Sequence, residues 1–271
     1  MKTIFKPIIG PYYEGNTIQS GQYVLFSSLL PNRTFSLNKT GFEVWKSIEK
    51  GLNINDIINN MCELYKSIDK DVISNDILKV IKKLWKNGFI SFENENPFEN
   101  DYIYDFNNDL LIKKNVFGLT TEYMKCINSN IHFFNNAYTP IEKLTDRNTI
   151  NAELFYNINN IYVLLSKTKN DILAMISFSI DSFNGIVDIN TLFFKSQENI
   201  MHEFIKKSII VELGIRGINE NEFNKYNILF HIISKKQDCI DLIQLGFENF
   251  TTLKQESKFG DIIVYKFHPH I

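Results

Sequence analysis

Residues 34–51 read TFSLNKTGFEVWKSIEKG, and the first five of these residues alternate polar with apolar side chains. Such alternation is typical of a strand with one buried face. Thr40 and Glu43 then have the spacing of a capping box, which predicts the start of a helix. Gly51 predicts the end of this helix, because glycine readily adopts the left-handed conformation that closes helices. The stretch therefore predicts a strand followed by a short helix.

Two further apolar patterns follow at helical spacing. The first comprises Ile54, Ile57, Ile58, Met61, Cys62 and Tyr65, and the second comprises Ile73, Ile77, Val80, Ile81, Leu84 and Trp85. The face opposite the second stripe carries Lys79, Lys82, Lys83 and Lys86. Gly88 predicts the end of the third helix, and a short strand is expected at Phe89–Phe92. Residues 33–92 thus predict a winged-helix-like module.

The run from Phe35 to Gly51, together with Asp71-Val72, the helix over 77–84 and the close Lys86-Asn-Gly-Phe-Ile90, resembles the PqqD-like domains. These domains recognise ribosomally synthesised and post-translationally modified peptides (RiPPs). The resemblance implies that a leader peptide adds as an extra strand in a groove between the third helix and the strand after it. The peptide-binding residues that it implies are Ile77, Val80, Lys83, Phe89, Ile90, Ser91 and Phe92.

A DNA-binding winged helix shares this plan and is an alternative. Its third helix would present only lysines, which contact phosphates, whereas a major-groove helix reads bases through Arg, Asn or Gln. The formal net charge of −2 also lacks the basic surplus of a nucleic-acid-binding protein. We therefore expect no nucleic-acid partner.

Composition limits the remaining classes. The 271 residues suffice for two domains, and a hydrophobic content of 44% is typical of globular proteins. The three cysteines, Cys62, Cys126 and Cys239, are too dispersed for a disulfide framework or a metal cluster, so no metal site is expected. The sequence lacks a signal-peptide pattern and any apolar run long enough for a membrane span, which predicts a cytoplasmic protein.

An acidic, proline-containing segment, ENENPFEND at 93–101, predicts a linker between two domains. We expect a PqqD-like domain over residues 1–93, a linker over 94–108 and a second domain over 109–271. Strands of this second domain are expected at Leu110–Lys114, Ile161–Ser166, Ile172–Ile180, Ile186–Phe194, Ile228–Ile233 and Asp261–Phe267. Helices are expected at Ser129–Tyr138, Glu198–Leu213 and Asp238–Leu245.

The order hairpin, strand, helix, strand, helix, Gly-Phe-Glu, strand resembles the GCN5-related N-acetyltransferase (GNAT) superfamily. The residues that carry the resemblance are Ala174–Ser177, Val187–Phe194, the helix from Glu198, Ile228–Ser234 and Leu242–Glu248. It implies a mixed, mostly antiparallel sheet flanked by helices. The predicted fold class is therefore α+β, with a winged-helix-like domain followed by a GNAT-like domain.

The same resemblance implies a cofactor, acetyl-CoA or a longer acyl-CoA, in a cleft between the fourth and fifth strands. Strand backbone would pair with its pantetheine arm, and the next helix start would meet its pyrophosphate through unpaired N–H groups. The implied cofactor-binding residues are Leu192, Phe193, Phe194, Gln197, Ile200, Met201 and His202. The helix start reads QENIMH, so it lacks the two small residues of the family's Gln/Arg-x-x-Gly-x-Gly/Ala turn.

Two residues are catalytic candidates. Asp188, on the fourth strand, is a candidate general base, and His231 is a candidate proton carrier because imidazole titrates near neutrality. The two resemblances together predict a leader-peptide-guided N-acyltransferase of RiPP maturation, with a precursor peptide as partner. The degenerate helix start favours an alternative, a non-catalytic peptide chaperone or adaptor that binds the peptide or another peptide-maturation enzyme. A DNA-binding regulator is the third hypothesis.

Overall fold

The protein is described here by a computed structural model. It covers residues 5–115 except 11, 20–21, 28–33 and 94, then 133–135, 137–138, 146, 149–150 and 153–154, and finally 158–268 except 170, 196–197, 234–238 and 258–259. The chain divides into two compact units, Met1–Asp101 and Tyr102–Ile271. The division falls within the predicted linker, although residues 103–105 of that linker form a strand.

The first unit consists of a small sheet, three helices and a two-stranded ribbon. Its strands are β1 (Pro7–Ile9), β2 (Tyr13–Gln19), β3 (Gln22–Ser27), β4 (Thr34–Leu37) and β5 (Ile90–Phe92). Its helices are α1 (Lys39–Glu49), α2 (Ile54–Leu64) and α3 (Lys70–Lys86). β2, β3 and β4 form an antiparallel sheet, and β1 pairs antiparallel with β5.

The start of α1 differs from the predicted capping box. The cap is Asn38, whose side-chain oxygen accepts a hydrogen bond from the Gly41 N–H at 2.8 Å. Thr40 is already the second residue of the helix and does not cap it, and its hydroxyl contacts the Tyr65 hydroxyl at 3.2 Å. The predicted end is confirmed, since Gly51 has a φ of +75°. Asparagine directly after a strand thus satisfies the first free N–H groups of the helix.

The apolar stripes of the three helices form the core of the first unit, as the periodicity predicted. Their most buried members are Trp45, Ile48, Ile57, Met61, Ile77, Ile81 and Leu84. Leu25 of β3 is completely buried as well. Packing of these stripes stabilises helices that would be marginal in isolation at 11 residues each for α1 and α2.

The second unit is built on one large sheet. Its strands are β6 (Ile103–Asp105), β7 (Leu110–Asn115), β8 (Phe133–Asn135), β9 (Asn160–Ser166), β10 (Ile172–Asp181), β11 (Ile186–Phe194), β12 (Asn227–Ile233), β13 (Phe247–Ser257) and β14 (Gly260–Phe267). Its helices are α4 (Glu198–Ile215) and α5 (Cys239–Gln244). The strand order is β13-β14-β12-β11-β10-β9-β7-β6, and β8 also pairs with β11.

Among the described strands of this sheet, β11 and β12 form the one parallel pair, and the other pairs are antiparallel. The predicted mixed, mostly antiparallel sheet and the α+β class are therefore confirmed. α4 packs Phe204, Ile205 and Ile209 against the sheet, where Phe178 and Phe230 are fully buried. Among the described helices, none has the length and apolar character needed to cross a membrane.

Two elements depart from prediction. The helix expected over Ser129–Tyr138 is wrong where the structure describes it, because residues 133–135 form strand β8 and pair with β11. β13 was missed, since its residues Glu248–Thr252 are exposed and show no alternation. It is a strand because β14 supplies backbone partners along it. In both cases long-range pairing outweighs the local pattern.

A matched pair of glycines allows a test of the packing beside α5. Gly246 has a φ of +89°, and a methyl group there would lie 2.6 Å from the His202 ring. We expect Gly246→Ala to lower the free energy of unfolding by ~1–3 kcal/mol. Gly214, within α4, has open space around it, so Gly214→Ala should raise stability by ~0.5–1 kcal/mol. Urea unfolding of both variants measures the difference, and equal effects would contradict this packing.

Candidate functional site

Asp188 and His231, predicted separately, lie together in the second unit. Asp188 stands on β11 and His231 on β12, and the two strands run parallel with Asp188 opposite Leu229. The His231 Nδ1 atom lies 3.1 Å from an Asp188 carboxylate oxygen. Both side chains are partly exposed, whereas the neighbouring Val187 and Ile189 are fully buried. The alternation of β11 therefore directs Asp188 away from the core and towards the histidine.

β11 and β12 diverge directly beyond this pair. Their pairing ends at Ile189 and Phe230. On the other edge of β11 the register shifts, so that Asn190 has no partner on β10. Such a bulge bends a strand and increases its twist. The bulge at Asn190 therefore accounts for a wedge that opens between the carboxyl-terminal parts of β11 and β12.

A segment of the chain itself lies in this wedge. Strand β8 pairs antiparallel with Thr191–Phe193 of β11. Two residues later the Ala137 N–H donates to the carbonyl oxygen of His231 at 2.7 Å. The Tyr138 ring then lies against the His231 ring, with 5.4 Å between their centroids. Residues 133–135, 137 and 138, which we name the wedge segment, thus reach from β11 to the Asp188–His231 pair.

The implied cofactor residues of β11 are buried. Leu192, Phe193 and Phe194 lie in the core, so they offer only backbone groups to a ligand. At Leu192 and Phe193 this backbone edge pairs with β8, contrary to the expected open edge. The physical reason is that an unpaired strand edge in a partly buried place needs hydrogen-bond partners, which the wedge segment supplies.

The start of α4 also differs from the implied anion site. Gln197 lies outside the described residues. In a helix that begins at Glu198, the N–H groups of Met201 and His202 bond carbonyls four residues back and are not available to a ligand. Met201 is buried, and His202 Nε2 bonds the His268 carbonyl at 2.8 Å, so both side chains serve packing. Ile200 is half-buried and remains a candidate through its backbone.

A buried ionic cluster connects α4 to the sheet. Glu212 is paired with Lys114 of β7, accepts a hydrogen bond from the Tyr162 hydroxyl at 2.8 Å, and bonds Arg216 at 3.1 Å. Burial, and next the Glu212 carboxylate, hold the pKa of Tyr162 well above its usual value, so this phenol stays protonated and donates. This cluster was not predicted from the sequence, because a lysine in a strand and a glutamate in a helix carry no local signal of contact.

In the first unit, a groove of about 320 Å³ lies between β4 and α3. Its walls include Phe35, Ser36 and Leu37 of β4, and Val80 and Lys83 of α3. β4 pairs with β3 along one edge, and no strand of the described chain pairs with its other edge. The groove therefore combines an open strand edge with a helix face, which is the geometry that accepts an extended peptide.

Comparison with known families gives one match. The model of the family described as coenzyme PQQ synthesis protein D (PqqD) matches residues 23–90. This span contains the strands and helices that line the groove. Residues 23–90 form a PqqD-like domain. No match was found among curated proteins.

Several solved structures are similar to part of the chain at low identity. Ribosomal-protein-S5-alanine acetyltransferase from Vibrio fischeri is 12% identical, with a TM-score of 0.44 over 62% of this chain and 97% of that chain. An acetyltransferase from Salmonella typhimurium that modifies the N-terminal serine of ribosomal protein L7/L12 is 14% identical, with a TM-score of 0.44 over 60% and 97%. A mutant spermidine N-acetyltransferase from Vibrio cholerae is 11% identical, with a TM-score of 0.42 over 59% and 94%.

The PqqD-like domain places its groove differently from the sequence interpretation. We expected a peptide beside the strand at Phe89–Phe92, but β1 of the same chain pairs with Ile90–Phe92. Phe89 and Ile90 are buried, and Ile77 is buried in the helical core, while Ser91 and Phe92 are half-buried. These five residues therefore do not line the groove, because β1 occupies the edge of β5 and the five side chains are buried or half-buried.

Two of the implied peptide-binding residues, Val80 and Lys83, do line the groove of the PqqD-like domain. The β4 side of the groove was missed as a binding surface. The alternating pattern of residues 34–38 predicted a strand. Only the pairing of β2, β3 and β4 shows which edge of β4 has no strand beside it in the described chain. In the described residues, no group of His, Cys, Asp and Glu side chains is arranged to hold a metal ion.

Proposed function

We propose that this protein is a peptide-directed N-acyltransferase of RiPP maturation. The observation that carries the proposal is the contact between Asp188 and His231 where β11 and β12 diverge. A histidine oriented by a carboxylate at the mouth of a wedge is a suitable proton acceptor for an attacking amine. The groove of the PqqD-like domain supports the peptide part of the proposal.

In this mechanism His231 donates its Nδ1–H to Asp188, which fixes the imidazole ring and leaves Nε2 to accept a proton. An acceptor amine, such as a lysine side chain or a peptide amino terminus, would lose its proton to Nε2 as its nitrogen bonds to the acyl carbon. The imidazolium would pass that proton to the departing thiolate sulfur as the carbon–sulfur bond breaks. The carboxylate of Asp188 stabilises the imidazolium that results. Acyl-CoA supplies, when bound, an acyl group activated as a thioester.

The chain offers two kinds of group that suit an acyl-CoA, a strand edge for its extended arm and a helix start for its phosphates. The backbone of Thr191–Phe193 can pair with one extended chain, as its pairing with β8 demonstrates. The next helix starts at Glu198, close in sequence to this edge, and helix starts present unpaired N–H groups to phosphate. The edge accommodates a single partner, however, so the donor fits only when β8 has left it.

In this proposal, binding of a leader segment in the groove determines which peptides are acylated. A leader segment paired with the open edge of β4 would be held through backbone hydrogen bonds, with Val80 and Lys83 contacting its side chains. Capture holds the rest of the same peptide at an effective concentration in the ~millimolar range. The proposed partner is therefore a precursor peptide, with another peptide-maturation enzyme as a further candidate.

The peptide half of the proposal has a matched test on α3. Val80 lines the groove, whereas Val72 stands exposed on the same helix away from it. With a peptide selected on the wild-type protein from a random 20-residue library, Val80→Asp should weaken binding by ~10–100-fold, because a carboxylate replaces an apolar contact. Val72→Asp should leave the Kd, measured by fluorescence anisotropy, within about twofold. Equal Kd values for both variants would place the peptide elsewhere.

The catalytic half is tested with the same peptide, extended by lysine-containing sequence, in the presence of acetyl-CoA or a long-chain acyl-CoA. Mass spectrometry should detect acylated peptide that depends on the protein. Tight peptide binding without transfer from either donor would overturn the transferase.

That outcome would favour the second candidate, a non-catalytic peptide chaperone or adaptor. Its specific support is the wedge segment, which fills the edge of β11. The side chains of Met201 and His202, committed to packing, support it as well.

A further inference from the structure

The wedge segment lies along the edge of β11 where a continued β12 would otherwise pair. β11 pairs with β12 only over Ile186–Ile189, and from Thr191 onward the same edge of β11 pairs with β8. β8 contributes three residues, and Ala137 continues to the His231 carbonyl on β12. The wedge segment therefore bridges the two diverging strands through backbone contacts.

The direction of the wedge segment is informative. It begins opposite Phe193, near the end of β11 that leads to α4, and it ends with Tyr138 against His231. The segment thus runs from the helix-start side of the wedge to the proposed proton acceptor.

The pantetheine arm of an acyl-CoA has a comparable shape and chemistry. It is an extended chain with two secondary amides, each of which offers one N–H donor and one carbonyl acceptor like a peptide unit. An arm whose phosphate end lies near the start of α4 and whose thioester lies near His231 would need the same edge, Thr191–Phe193. Two chains cannot hydrogen-bond to the same backbone groups at once.

We propose that the wedge segment is a built-in competitor of the acyl donor, which must leave β11 before a donor can bind. This inference rests on the proposed function and adds its regulation. Few backbone hydrogen bonds hold so short a strand, so a donor at sufficient concentration can displace it. The apparent affinity for the donor is then lowered by the fraction of molecules in which the segment is closed.

A reversible covalent lock tests this competition in the full chain. Asn135 and Thr191 are directly opposite in the antiparallel pair. Opposite residues of antiparallel strands in general have Cβ atoms close enough for an engineered disulfide. The double variant Asn135→Cys/Thr191→Cys is oxidised, its crosslink is verified by mass spectrometry, and acetyl-CoA binding is measured by calorimetry with and without dithiothreitol. The two single variants control for the lost Thr191 hydroxyl and for pairing with native cysteines.

We expect the oxidised double variant to bind acetyl-CoA at least tenfold more weakly than its reduced form, which should match the Thr191→Cys variant. A second variant with glycine at residues 133–135 loosens the strand without a crosslink and should bind about threefold to tenfold more tightly than wild type. Equal binding in the oxidised and reduced forms would overturn the competition and leave the transferase intact. Failure of the disulfide to form would also overturn it, since β8 would not lie on β11. Binding by none of the proteins, including the glycine variant, would overturn the transferase and the competition together.

Discussion

Replacement of His231 by glutamine is expected to lower the rate of acyl transfer by ~10²–10⁴-fold, the range for loss of a general base. Glutamine keeps a polar side chain near Asp188 but cannot accept a proton at neutral pH. Steady-state assays with the selected peptide and acetyl-CoA measure this loss.

Asp188→Asn is the companion variant. The amide still lies beside the ring, but it no longer stabilises the imidazolium, so kcat should fall while the peptide Kd stays constant. An unchanged kcat in His231→Gln would contradict the proton-acceptor role and make the Asp188–His231 contact a structural one. Unchanged urea unfolding of the second unit in both variants excludes unfolding as the cause of a lower rate.

The largest effect on stability is expected at Glu212. Its carboxylate is paired with Lys114, Tyr162 and Arg216, and its side chain is only 3% exposed. Glu212→Ala leaves a buried lysine without its anionic partner and should lower the free energy of unfolding by ~3–5 kcal/mol. Urea unfolding at neutral pH measures this loss.

Glu222 supplies the control for that experiment. It forms an exposed pair with Lys225, and the Lys225 interaction lowers the pKa of the Glu222 carboxyl. Surface pairs contribute little, so Glu222→Ala should change stability by less than ~1 kcal/mol. Replacing both partners of the buried pair, as in Lys114→Met/Glu212→Leu, should recover much of the loss. A Glu212→Ala variant as stable as Glu222→Ala would contradict the buried pairing.

The helices of the PqqD-like domain could be predicted because their information is local. A buried stripe at Ile73, Ile77 and Ile81 repeats at the helical period, and glycines with a positive φ, Gly51 and Gly88, close α1 and α3. The long strands β9, β10 and β11 were predicted with similar success, since runs of buried apolar residues bounded by turn residues are typical of strands. Asp188 and His231 could be named as candidates because each is a titratable residue within a strand that its own local pattern predicts.

Tertiary structure alone decided which edges are paired and which side chains meet. Asp188 and His231 are 43 residues apart, and only the parallel pairing of β11 with β12 brings them to 3.1 Å. The groove that we propose for a peptide lies at β4 and not at β5, because β1, distant in sequence, pairs with β5. β8 became a strand because a free edge of β11 needs partners, whatever the local pattern predicts. Periodicity determined the helices and the long apolar strands, whereas hydrogen bonding between distant edges determined β8, β13 and the candidate site.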